Sequence, residues 1–147
     1  MLINVIIGLS TIVVCLFLQS AMLLVALRYY KNHSNLIYSP SFWSSMAIIK
    51  SVMLILIIGN LIQIAIWASL FLWFGEFTEF GEAFYHSAVN FSTLGYGDFV
   101  MSAEIKLLGP IEAINGGLMI GMSTAVLMTV FQDTIRKTVA SREDTNP

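Results

Sequence analysis

The chain has 147 residues, 57% hydrophobic and 11% charged, with a formal net charge of −2. Soluble domains carry about 25% charged residues, so a water-covered fold would lack surface charge, and the near-neutral balance offers nothing to nucleic acid. A lone cysteine, Cys15, excludes an intrachain disulfide framework.

Residues 2–27, 51–75 and 113–132 each run without a charged side chain. About 20 such residues suffice for a helix to cross a ~30 Å hydrocarbon core, so three spans are expected. The first has no basic residue before it and is far longer than the apolar stretch of a signal peptide, so it reads as a retained helix. Ser39-Pro40 looks like an N-cap followed by a first-turn proline, which would start the second helix ahead of its apolar run. Tyr38, Phe42 and Trp43 suit an interfacial level there. In the spans, the amides Gln19, Asn60 and Gln63 are expected to dock helix one on helix two, or equally to meet a partner on a neighbouring copy of the chain.

Between the second and third spans lies a shorter helical segment, 78–91, with Thr78 as the expected N-cap and Glu79 and Glu82 in the first turn. Its roughly 18 Å reach only about half way through the hydrocarbon. The stretch 93–97 then has the length to climb back to the same side. Non-helical backbone at that depth must face protein or water, because lipid cannot satisfy its polar groups. The third span opens with Glu112 and Asn115, contains Gly116, Gly117 and Gly121, and ends at Asp133. Asp133 reads equally as a solvated helix end or as part of an acidic ring. The remainder, 135–147, is short and polar.

Basic residues set the orientation. The first loop holds Arg28, Lys31 and Lys50, and the tail holds Arg136, Lys137 and Arg142. The segment between spans two and three has Lys106 against Glu76, Glu79, Glu82, Asp98, Glu104 and Glu112. The first loop and tail are therefore expected in the cytoplasm, with the N-terminus and the 76–107 segment outside.

Residues 92–98 read Ser-Thr-Leu-Gly-Tyr-Gly-Asp. Glycine at 95 and 97 lets an extended ribbon alternate ordinary and left-handed backbone, so that carbonyl oxygens share one side. This motif resembles the ion filter of potassium channels, and the chain from Phe84 to Thr134 resembles their pore module, especially small bacterial channels. The resemblance implies an all-α membrane protein of three transmembrane helices plus a re-entrant pore helix and extended filter, assembled as a homotetramer. It divides the chain into an additional N-terminal helix and loop start (1–35), a pore domain (36–134) and a cytoplasmic tail (135–147). Within the pore domain it gives an outer helix at about 41–74, a pore helix at about 79–91, a filter at 93–97 and an inner helix at about 108–133.

The same resemblance implies K+ sites at the carbonyls of Thr93, Leu94, Gly95 and Tyr96, with Gly97 completing the ribbon and Asp98 at the outer mouth. His86 stands where family members carry an aromatic that reaches the aspartate; a hydrogen bond to Asp98 and a neutral histidine satisfied elsewhere are both open. Leu94 replaces the usual Val or Ile, and Val89 stands where some members have a carboxylate. Ser92, Glu112 and Asn115 are candidate filter supports. Gly117 lies at the family's hinge position, nineteen residues after Asp98, flanked by Gly116 and Gly121; close helix packing is the other reading. Leu118, Gly121, Ala125 and Thr129 are candidates to face a vestibule.

The expected function is passive, potassium-selective conduction in the cell membrane, with no cofactor beyond the transported ion and no enzymatic activity. Partners would be K+, three further copies, the bilayer and an unidentified membrane protein on helix 2–27. The rival readings are a non-selective cation channel and a non-conducting accessory subunit.

Overall fold

The computed structural model describes residues 1–33 and 42–143, which form four helices: α1 (Leu2–His33), α2 (Phe42–Trp73), α3 (Phe80–Phe91) and α4 (Leu108–Glu143). No strand occurs among the described residues. α1, α2 and α4 are each long and apolar enough to cross a membrane. α1 and α2 are apolar around their whole circumference, as suits helices surrounded by lipid and protein rather than water. At 32 residues each they measure about 48 Å, more than the hydrocarbon thickness. α3, with 12 residues, is about 18 Å long and cannot span. The chain is thus an all-α membrane protein with three spans and one half-length helix. The Ser39-Pro40 start and the interfacial Tyr38 lie outside the described residues.

The helix ends have local causes. Gly75, at φ +74°, ends α2: its N–H donates to the Leu72 carbonyl and the Glu76 N–H donates to the Phe71 carbonyl, the paired bonds of a left-handed C-cap. The Glu76 carboxylate then receives the N–H of Ser102 at 2.8 Å and its hydroxyl at 2.5 Å, tying the segment before α4 to the end of α2. Thr78 is not the N-cap of α3. Glu79 takes that place through its backbone, accepting the Ala83 N–H at 3.2 Å with no side-chain cap. The polar tail expected from 135 is also corrected, since α4 continues to Glu143. Asp133 and Lys137 pair at 2.9 Å one turn apart, and the Thr134 and Thr138 hydroxyls donate to carbonyls four residues back. These four polar side chains are therefore satisfied within the helix.

One compact unit joins Met1–Gln19 with Gly59–Gly121. Trp67, Phe71, Phe91, Leu108 and Met119 are fully buried in it, together with the polar Gln19, Gln63, Glu112 and Asn115. Two glycines permit close crossings. A Cβ on Gly8 of α1 would meet the Ile111 side chain at 2.8 Å. A Cβ on Gly116 of α4 would stand 1.9 Å from the Phe91 carbonyl oxygen. Gly116 is thus a contact surface for the end of α3, whereas Gly117 and Gly121 have nothing within 4 Å.

Amides fasten α1 into this unit. Gln63 Nε2 donates to Gln19 Oε1 at 2.7 Å, and Gln19 Nε2 donates to the Met119 carbonyl at 3.3 Å. Asn4 Nδ2 donates to the Glu104 carbonyl at 2.5 Å. Docking of helix one on helix two by amides holds for Gln63 but not for Asn60, whose Oδ1 is buried without a partner. The two are three residues apart, about 60° around the helix, and only Gln63 reaches Gln19.

The other unit joins Ser20–Ile58 with the chain from Met122 onward. Its core stacks Ala26 and Tyr30 of α1, Ile48, Val52 and Leu56 of α2, and Val130 of α4. The four-residue spacing places each set on one helix face. The Tyr30 hydroxyl donates to Asp133 at 2.7 Å, and Lys137 lies 5.2 Å from the Tyr30 ring centre. Asp133 is therefore held from two sides rather than standing as a bare helix end.

Gly116→Ala should lower the unfolding midpoint in detergent, because the clash is with backbone and costs about 1–3 kcal/mol or more. Gly117→Ala, with open space around it, should leave the midpoint level or raise it by up to about 1 kcal/mol. Gln19→Leu strands the Gln63 amide in an apolar core and should cost about 1–3 kcal/mol in the same melt.

Candidate ion-conducting site

The segment after α3 is built by hydrogen bonds to the last turn of that helix. Ser92 N–H donates to the Ala88 carbonyl at 3.0 Å, and Thr93 N–H donates to the Asn90 carbonyl at 2.8 Å. Leu94 and Gly95 N–H both donate to the Val89 carbonyl, at 3.0 and 3.4 Å. The Ser92 hydroxyl adds bonds to the Ala88 and Val89 carbonyls at 2.7 and 3.2 Å. The first three donors of the ribbon, at Thr93, Leu94 and Gly95, are thus spent on α3. Its acceptors are not: the carbonyls of residues 93–97 take no hydrogen bond among the described residues.

The ribbon alternates. Thr93, Gly95 and Gly97 have φ of +59°, +59° and +75°, with Leu94 and Tyr96 between them in ordinary backbone. Sequence reasoning anticipates the two glycines. It misses Thr93, a β-branched residue held in a region such residues rarely enter. The hydrogen bond from its N–H to the end of α3 is what holds it there. The whole stretch 92–100 is exposed in the single chain, with the Tyr96 side chain 68% accessible.

Asp98 accepts the Tyr85 hydroxyl at 2.8 Å. Of the two readings open for His86, the structure has the one in which the ring is satisfied elsewhere, and its neighbour makes the bond to Asp98. His86 points elsewhere because its ring packs edge-on against Phe71 at 5.5 Å and tilted against Phe77 at 5.1 Å. Its Nε2 faces the Asn90 amide Nδ2 at 2.9 Å. Burial holds His86 below its ordinary 6.5, with the Asp98 and Glu76 carboxylates acting the other way. The Asp98 carboxylate, by accepting its proton, pushes the Tyr85 hydroxyl up.

Behind the ribbon, α3 is fastened to α2 and α4. The Ser87 hydroxyl donates to the Ile64 carbonyl at 2.9 Å and is hydrogen-bonded to Glu112 Oε1. Asn90 Nδ2 donates to Glu112 Oε2 at 3.4 Å. Ser87, Glu112 and Asn115 are fully covered. Asn115 lies one turn from Glu112, beside Cys15 and Trp67, and its amide pairs with no other described group. Ser87 and Asn90 were not singled out from the sequence. Their signal was available: polar side chains three residues apart within an apolar half-helix. On α4, Leu118, Gly121, Ala125 and Thr129 are all exposed.

Two tests follow from this geometry. As pH falls below 6.5 the unfolded chain protonates at His86 before the folded chain does, so stability should be full above 6.5 and decline toward the lower folded value. His86→Gln should flatten that decline in acid-induced unfolding. Tyr85→Phe should free Asp98 and alter the outer mouth, whereas His86→Phe should leave Asp98 in place; spectra of the labelled Asp98 carboxyl distinguish the two.

A family model described as "Ion channel" matches residues 52–133. No curated protein and no solved structure matches the chain. The matched region covers more than half of the sequence and takes in α3, the alternating ribbon and the first two thirds of α4, so this chain belongs to the ion-channel family.

Proposed function

We propose that the chain conducts K+ selectively and passively, as a homotetramer whose four 93–97 ribbons surround one axis. The observation that carries this reading is the ribbon: left-handed backbone at every second residue, the donors of Thr93, Leu94 and Gly95 bound to α3, and carbonyls left without partners among the described residues. A row of such oxygens can replace the hydration shell of a dehydrated cation. One chain supplies one row, and an ion needs oxygens on all sides. The exposure of Leu94 and Tyr96 in the single chain supports covering by further copies. Tyr96 favours K+ over unselective conduction, because the resemblance is to the filter that keeps this tyrosine.

In this reading Thr93, Leu94, Gly95 and Tyr96 supply the ion sites, and Asp98 sits at the outer mouth. Ser92, His86, Glu112 and Asn115 support from behind, and Gly117 and Gly121 remain candidates for an inner-helix bend. The arrangement of basic residues supports an N-terminus outside the cell and the end of α4 in the cytoplasm. Acids of the outer segment raise the local cation concentration.

Proteoliposomes with an outward potassium gradient test the proposal. Barium-sensitive uptake of K+ tracer with little Na+ uptake is the expected result. Equal Na+ and K+ uptake supports the unselective rival, and no uptake supports an accessory role. Gly95→Ala places a Cβ at φ +59° and should abolish selective flux, since alanine at that backbone costs about 1–2 kcal/mol per copy.

A further inference from the structure

We propose that Glu112 is a neutral carboxylic acid, whose proton is donated to Ser87 and thereby positions the last turn of α3 beneath the ribbon. For its effect on conduction this rests on the reading above; its protonation does not.

The available protons decide the state of Glu112. Ser87 has one hydroxyl hydrogen and two oxygen neighbours, the Ile64 carbonyl and Glu112 Oε1. The carbonyl can only accept, so it takes the hydrogen of Ser87. The remaining contact then needs a hydrogen from Glu112. Asn90 has two amide hydrogens, and one lies toward His86 Nε2 and the other toward Glu112 Oε2. Glu112 Oε2 thus accepts while Oε1 donates, as in a carboxylic acid. An ionised Glu112 would leave either the Ile64 or the Glu112 contact to Ser87 without a proton.

Burial agrees with the count. Glu112 has no accessible surface, and the one salt bridge among the described residues is Lys137–Asp133. A carboxylate enclosed without a cation is costly, and a hydrogen-bonded acid is not. The other titratable groups facing this cluster are Cys15 of α1 and His86 of α3, and neither supplies a fixed positive charge.

The consequence for the site follows from Asn90 and Val89. Their carbonyls receive the N–H groups of Thr93, Leu94 and Gly95, while Glu112 holds the Asn90 and Ser87 side chains of the same turn. Glu112 is therefore a positioning residue that fixes the ribbon at one remove. Four ionised copies would also surround the axis with negative charge and hold cations too firmly to leave, and a neutral acid avoids this.

Glu112→Gln is the neutral isostere: its amide N–H donates to Ser87 and its oxygen accepts from Asn90. In lipid-reconstituted protein at neutral pH, the wild-type infrared spectrum should contain a protonated-carboxyl carbonyl band that Glu112→Gln lacks. Identical carboxyl regions in the two proteins overturn the proposal. In K+ uptake, Glu112→Gln should stay within about threefold of wild type, and Glu112→Ala should lose about tenfold or more, as expected for a stranded buried partner. Equal loss in Gln and Ala variants would mean that a carboxylate charge is needed and would also overturn it. If the wild type carries no K+ at all, the conduction reading fails while the infrared comparison still decides the state of Glu112.

Discussion

The bonds from the N–H groups of residues 92–95 into the carbonyls of Ala88, Val89 and Asn90 are the interaction on which the rest depends. A ribbon in neither helix nor sheet has no ladder of its own, and lipid offers none. Borrowing the carbonyls at the end of α3 solves the donor half of that problem as far as Gly95. The acceptor half is left open, which is the property a cation-binding backbone needs. Each further feature of this unit either places the end of α3 or keeps it still.

Three kinds of contact do this. The Gly116 crossing brings α4 against the Phe91 carbonyl, with no room for a side chain. Ser87 and Asn90 link α3 to the Ile64 carbonyl on α2 and to Glu112 on α4. At the far end, Tyr85 holds Asp98, so the ribbon is anchored where it begins and where it leaves. α1 joins the same unit through Asn4, Gly8 and Gln19. The first part of α1 is thus packed into this unit and bonded to a backbone carbonyl of α4.

Long apolar runs, the half-length segment and the Ser-Thr-Leu-Gly-Tyr-Gly-Asp motif were legible because each is local: hydropathy sets the spans and glycine marks the left-handed positions. What stayed open was rotation about a helix axis. His86 and Tyr85 differ by one residue, about 100° of turn, and the rings of Phe71 and Phe77 decide which faces Asp98. Gln63 rather than Asn60 meets Gln19 for the same reason. The purpose of Gly116 could not be separated from that of Gly117 without knowing which side of α4 meets α3. The helical continuation past 133 was hidden by polar composition, which an Asp133–Lys137 pair and back-bonded threonines accommodate.

Cys15 is the chain's single thiol, and it is fully enclosed beside Asn115 and Trp67. Maleimide and methanethiosulfonate reagents need an accessible thiolate, so the folded native chain is close to a blank background for them. Cysteines introduced one at a time along the exposed face of α4 would therefore accept fluorophores or spin labels without first engineering a cysteine-free parent. Label-to-label distances would then report directly whether copies of the chain assemble.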